Sequence, residues 1–213
     1  IADAVGKKAE VAAITEAAMR GEITDFKDSL RRRVALLKGV PAESLQEVYD
    51  QRLKINPGAP ELINAAKAAG LQTLLVSGGF TFFADRVRER LGMHEAHSNT
   101  LEIEGGLLTG RVLGDIVDGE AKKQHLLRLC ERIGCDPRQS IAVGDGANDL
   151  LMMGVAGLSV AYHAKPKVRE QAMVAGQILA GGRVDRLAVD ADQLDAAVGK
   201  PIDRLRSEGA ELI

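Results

Sequence analysis

Apolar residues along the early part of the chain recur every three or four positions, and beyond residue 56 they gather into short continuous runs separated by glycines. Val11, Ile14 and Ala18, then Leu30, Val34 and Leu37, share the spacing of one helical face. That spacing predicts helices over 7–20, 25–37 and 41–54, with Pro41 tolerated in a first helical turn. After "NPGAP" (56–60) the pattern predicts a helix over 60–69 closed by Gly70, a strand at 71–76, a loop "SGGF" at 77–80 and a helix over 80–91 closed by Gly92. "NTLEIEGGLLTGRVL" (99–113) alternates about Gly105 and Gly106 and predicts a hairpin. A helix over 120–133, a strand at 140–143, a helix from about 147, a strand at 157–161 and a helix over 165–175 follow. Strands alternating with helices predict an α/β fold, a three-layer doubly wound parallel sheet with a small helical subdomain. Right-handed crossovers would bring the strand ends at Val76 and Val143 to one edge, where such sheets bind ligands.

Composition narrows the picture by exclusion. The 213 residues suit one domain or a core with a small attached subdomain, and a hydrophobic content of 46 % supplies a core. With 28 Lys and Arg against 30 Asp and Glu, the net charge of −2 favours neither nucleic acid nor an anionic membrane as partner. Cys130 and Cys135 are too few for a disulfide framework and lack the companions of a zinc site, so they read as reduced thiols in or beside a helix. No apolar run approaches the roughly 20 residues of a membrane span, and no signal-like segment opens the chain, which makes the cytoplasm the expected location. Ile1 already lies within a helical pattern, with no Met and no lead-in strand, and the expectation is that a segment precedes it.

Three stretches carry chemistry, and each also has a plainer reading. In "VSGGF" (76–80) a strand ends at Ser77, two glycines let the backbone approach a ligand and a helix begins, so N–H groups and a hydroxyl can surround an anion. The plainer reading is a glycine turn. In "VGDGANDL" (143–150) Asp145 stands just past a strand end and Asp149 within the first turn of the next helix. Hard oxygen donors there suit Mg²⁺, which keeps several waters and takes one or two protein carboxylates besides phosphate oxygens. Asp145 and Asn148 as helix caps, with Asp149 answering the helix dipole, is the alternative. Lys122 opens the helix at "GEAKKQHLL" and can neutralise a phosphoryl oxygen, or can be solvated surface like its neighbour Lys123.

Taken in order, "SGGF", "NTLEIEGGLLTGRV", Lys122, "VGDGANDL" and "AKPKVRE" (164–170) resemble the phosphoserine phosphatases of the haloacid dehalogenase-like superfamily, over roughly residues 1–175. "AITEAAMRGEITDFKDSLRRRVALLKG" (13–39) resembles their cap. The resemblance implies a haloacid dehalogenase-type core over 56–175 with a hairpin near 99–113, a helical cap over 1–55 and a tail, 176–213, without a family counterpart. It implies Mg²⁺-dependent hydrolysis of O-phospho-L-serine, the last step of serine biosynthesis. Ser77 and the Gly78 backbone would hold the phosphoryl oxygens, and Lys122 would neutralise them. Asp145 would be the metal ligand. Asn148 and Asp149 would support this shell, Asp149 by pairing with Lys122 or through a metal-bound water. Met19, Phe26 and Arg33 would enclose the substrate, with Arg33 gripping its carboxylate through two parallel hydrogen bonds. Without the resemblance, Met19 and Phe26 read as core and Arg31 to Arg33 as a solvated basic face. A homodimer is compatible with all of this, and no sequence feature fixes the oligomeric state.

The sequence departs from the family in two places. The family's mechanism runs through an aspartyl-phosphate, with a second aspartate as acid and base. Its Asp-x-Asp-x-Thr would stand roughly fifteen residues ahead of the opening segment, with an acidic residue for the substrate amine. No such motif occurs in these 213 residues. The expectation is a phosphatase whose first strand lies outside them. The alternatives are a domain that binds phosphate or phosphoserine without catalysis, and a phosphatase of another small phosphomonoester. The tail also offers "RLAVDADQL" (186–194), in which Asp190 and Asp192 could stand in as nucleophile and acid, with 187–189 filling the place of the missing strand. Leu194 replaces the motif's Thr, however, and the stretch reads equally as a capped helix start.

Overall fold

Helical periodicity governs the opening of the computed structural model, which describes residues 1–178 and 184–185. Helices α1 (Lys8–Met19), α2 (Phe26–Ala35) and α3 (Ser44–Arg52) come first. Asp25 starts α2 by standing in extended conformation and accepting the Lys27 N–H at 2.9 Å, which satisfies a donor that the first turn leaves free. Leu30 and Val34 form its inner stripe, which Leu37 continues in the turn beyond its end, each 4 % exposed or less. Helix α4 (Ala59–Ala68) leads to strand β1 (Leu74–Phe80), helix α5 (Thr81–Leu91) and strands β2 (Glu95–Glu104) and β3 (Leu107–Leu113).

These elements belong to the first of two units, Ile1–Asp118 and Gly119–Ile213. The sheet of the first unit has the order β1-β2-β3, with β1 and β2 parallel and β2 and β3 an antiparallel hairpin. Its core joins the stripe of α2 and Leu45 of α3 to Leu101, Leu108 and Ile116. The hairpin is thus the surface on which the helical block buries its apolar face. The glycine at Gly110, at φ 83°, leaves room for the end of α2: a Cβ there would come 3.1 Å from Ala35 O. A clasp fixes the start of β1. The Thr73 N–H donates to His94 Nδ1 at 3.0 Å, and the His94 N–H donates to Thr73 Oγ1 at 3.0 Å.

The second unit runs through helix α6 (Gly119–Ile133), a 3₁₀ turn (Pro137–Gln139), strand β4 (Ile141–Gly144) and a second 3₁₀ turn (Ala147–Asp149) that continues as helix α7 (Leu150–Met153). Strand β5 (Leu158–Tyr162), helix α8 (Pro166–Arg169) and strands β6 (Val174–Ile178) and β7 (Val184–Asp185) complete it. The order is β4-β5-β6-β7, parallel except for the last pair. Ala142, Ala156, Ala161 and Ala164 are all buried beside Leu126, Cys130, Met153 and Val168. Small residues on the strands and loops bring the helices close to the sheet.

Four expectations change. The strand placed at 71–76 begins at Leu74, because residues up to Thr73 are used to leave α4, with the Leu71 N–H bonded back to Ala66 O. The loop expected at 77–80 is instead the end of β1, and its register against β2 breaks between Val76 and Phe80, where the glycines sit. The helix expected over 165–175 ends at Arg169, since Val174 is β-branched and pairs with Val160. Finally, β1 and β4 lie in separate ladders among the described residues, where one sheet was expected. Residues 187–189, Asp190 and Asp192 lie outside the described residues.

Candidate active site

The carboxylate stretch folds into a turn organised by one side chain. At the end of β4 the chain reverses, and Asp149 points back across the turn: its Oδ2 accepts the N–H groups of Asp145 (3.1 Å) and Gly146 (3.0 Å). Its Oδ1 accepts Lys122 Nζ at 2.6 Å. Gly144 is required by this closure, since a Cβ there would overlap the Asp149 side chain. Lys122, in the first turn of α6, is 6 % exposed and Asp149 is 4 % exposed. The reading of Lys122 as solvated surface therefore fails, while Lys123 does pair with Glu120 at 3.1 Å on the outside of the same helix. The pairing with Lys122 expected for Asp149 is present.

Asp145 differs from Asp149 in every respect that matters for ligand binding. Its carboxylate is exposed and, among the described residues, pairs with no cation, while its carbonyl accepts the Lys165 N–H at 3.3 Å. It does not cap the following turn, whose N-cap position is Gly146 and which receives no side-chain cap bond. Asn148 is half-buried beside it, with its backbone carbonyl 3.1 Å from where a Cβ of Gly119 would lie. Among the described residues no group of three or more His, Cys, Asp or Glu side chains could hold a metal ion. A cation held by many protein ligands is therefore a poor fit. One free, hard carboxylate at a strand end does fit Mg²⁺, whose other ligands are waters and phosphate oxygens.

The first unit holds the other candidates. Ser77 and Gly78 lie at the register break of β1, and Ser77 Oγ accepts the Gly79 N–H at 2.9 Å. That bond uses a lone pair and leaves the hydroxyl proton for an acceptor outside the loop. Phe26, the first residue of α2, packs against the core, and its Cζ lies 3.4 Å from where a Cβ of Gly78 would be. The reading of Phe26 as core therefore holds, and the same ring lies against the glycine loop.

Arg33 parts company with its neighbours. Arg31 and Arg32 are exposed, and Arg32 pairs with Asp28 at 2.8 Å, whereas Arg33 is half-buried. Arg33 donates through Nε to Ser29 O at 3.2 Å, and no carboxylate pairs with it among the described residues. Burial lowers its pKa from the usual arginine value. A desolvated guanidinium without an anion is a group awaiting one. Met19 is the last residue of α1.

The sequence reading passed over Asn99. It is 1 % exposed, and its side-chain amide donates to Gly78 O (2.9 Å) and Gly79 O (3.2 Å) while its Oδ1 accepts the Val117 N–H at 2.8 Å. Asparagine is disfavoured in strands, so its place in an alternating run was the available signal.

Comparison with known proteins places these features in a family. Residues 4–154 match the model of the haloacid dehalogenase-like hydrolases. A phosphoserine phosphatase of Polaromonas sp. is 65 % identical over 191 residues, covering 88 % of this chain and 80 % of the relative. The unliganded crystal structure of a probable phosphoserine phosphatase from Vibrio cholerae superposes with a TM-score of 0.78 at 40 % identity; it covers all of this chain, which spans 61 % of that longer one. A substrate-bound phosphoserine phosphatase complex gives a TM-score of 0.75 at 38 % identity over 82 % of each chain.

Proposed function

Since the chain belongs to the haloacid dehalogenase-like hydrolase family, we propose that it acts as a phosphoserine phosphatase, hydrolysing O-phospho-L-serine to serine and phosphate, the closing step of serine biosynthesis. The observation that carries the reading is the 65 % identity to a phosphoserine phosphatase over 88 % of the chain. In this reading residues 1–55 form the cap, 56–175 the core and 176–213 a tail, and the enzyme works in the cytoplasm. Among the described residues no helix is long and apolar enough to cross a membrane.

The residues divide the work by charge. The Ser77 hydroxyl, its lone pair already met by Gly79, donates to a phosphoryl oxygen together with the Gly78 backbone N–H. Lys122 adds a fixed positive charge, held in place by Asp149 so that it need not reorganise as charge spreads over the phosphoryl group. Arg33 takes the serine carboxylate, and Met19 and Phe26 close over the substrate. Asp145 would hold Mg²⁺ with Asn148 in support, and the ion would neutralise phosphoryl charge. The carboxylate that attacks phosphorus in this family is not among these residues.

Phosphate release from phosphoserine in the presence of Mg²⁺ tests the proposal, with Ser77→Ala expected to lower the rate at least tenfold. The alternative reading is a domain that binds phosphoserine without hydrolysing it. Phosphoserine bound but never cleaved would select it.

A further inference from the structure

We propose that Asn99 is a positioning residue for the phosphate-binding loop, holding the two glycine carbonyls of "SGGF" away from the anion. The inference rests on the reading that Ser77 and Gly78 bind the phosphoryl group. It names a residue outside that set, one strand away.

The geometry argues for a role beyond packing. The Asn99 side chain sits on β2 at the level of Phe80, where the register between β1 and β2 resumes after its break. Nothing in the ladder itself fixes the peptides of the break. Asn99 Nδ2 does so, reaching Gly78 O at 2.9 Å and Gly79 O at 3.2 Å. In a trans peptide the C=O and the following N–H point in opposite directions. Turning both carbonyls toward Asn99 therefore sends the Gly79 and Phe80 N–H groups the other way. The Gly79 N–H is met by Ser77 Oγ at 2.9 Å, so a single run of bonds leads from the Asn99 amide through the Gly78–Gly79 peptide to the serine hydroxyl.

An electrostatic consequence follows. Glycine peptides are free to flip, and a flipped carbonyl would present negative charge to an anionic ligand. A buried amide donor shared by both carbonyls prevents this and keeps the Gly79 N–H on Ser77 Oγ, so that the hydroxyl rather than a carbonyl faces the anion. The remaining polar atom, Oδ1, is used separately to hold the Val117 N–H at 2.8 Å. The two halves of one side chain thus have separable duties, and Asp is the substitution that splits them. Asn99→Asp keeps an oxygen for Val117 and replaces the shared donor by an oxygen facing two carbonyls.

The experiment measures binding of inorganic phosphate to the full chain with Mg²⁺ by calorimetry, for the wild type and Asn99→Asp, with amide hydrogen exchange at Val117, Gly79 and Phe80. The expected result is phosphate affinity at least tenfold weaker in Asn99→Asp, with Val117 protection kept and protection at Gly79 lost. Affinity within twofold of the wild type in a folded variant overturns the proposal. Should Asn99→Asp not fold, the wild type alone decides. Saturating phosphate is expected to shift the Asn99 side-chain amide resonance together with the Gly79 and Phe80 backbone amides, and an unmoved Asn99 signal overturns the proposal. A wild type that binds no phosphate removes the underlying reading of Ser77 and Gly78 instead, and with it the role given to Asn99.

Discussion

Replacing Asp149 by Asn should unfold the second unit far more readily than replacing its partner Lys122 by Met, although the two form one ion pair. At 2.6 Å and an effective dielectric constant of about 20, the gross attraction is about 6 kcal/mol. Desolvation of two buried ions, several kcal/mol each, offsets it, so the pair as a whole adds little net stability. The single variants are unequal because the partners keep different company. In Lys122→Met, Asp149 still accepts the N–H groups of Asp145 and Gly146 at 3.1 and 3.0 Å, and an apolar side chain fills the space of the lysine. The expected loss is about 1–3 kcal/mol. In Asp149→Asn, one amide faces an ammonium on one side and two N–H donors on the other. It has a single oxygen for both, so whichever way it turns its NH₂ confronts a donor. Lys122 is left buried without a counter-charge, and the expected loss is about 3–5 kcal/mol. Urea unfolding of both single variants and the double variant at pH 7 measures this. The double variant should lose less than the sum of the singles. Additive losses, or a Lys122→Met variant as damaged as Asp149→Asn, would refute the reasoning.

Other outcomes follow from single features. Arg33→Ala should weaken phosphoserine binding about 10- to 100-fold, the worth of one or two charge-assisted hydrogen bonds, while leaving inorganic phosphate affinity unchanged in the same titration. Burial first, and Cys135 second, push the Cys130 thiol up to about 11. At pH 8 a thiol reagent should therefore modify Cys135 well before Cys130, and stability tied to Cys130 should be full below about pH 9 and fall as pH rises toward 11. A hydrogen bond from Arg138, together with the Arg138 N–H, lowers the Asp136 carboxyl to about 2. Asp136 is depressed, so its contribution to the Pro137–Gln139 turn holds above about pH 4 and is lost as pH falls through 2, which a carbon-detected NMR titration of the carboxyl would follow.

Much of this was legible in the sequence, for identifiable reasons. The stripe of α2 and the hairpin at 99–113 were readable because each obeys a single period and ends on glycines. The pairing of Lys122 with Asp149 was readable only through the family resemblance. Charge and position alone made Lys122 look like Lys123, and only tertiary packing separates the buried lysine from the exposed one. Arg33 illustrates the same limit: nothing in "RRR" distinguishes the half-buried third arginine from the first two. The extension of β1 through "SGGF" was hidden because two glycines read as a loop, whereas the neighbouring strand and the Asn99 amide hold them in the sheet. Asn99 itself was hidden because a polar residue in an alternating strand looks like its solvent face, and only the close approach of β1 makes it buried.

Recognition of phosphoserine by its two charged ends is the central claim, and a paired titration tests it most directly. Phosphoserine and phosphoethanolamine, which lacks the carboxylate, are titrated into the full chain with Mg²⁺. The account predicts phosphoserine binding at least tenfold tighter, with the difference abolished in Arg33→Ala. Equal affinities for the two ligands in the wild type would contradict it.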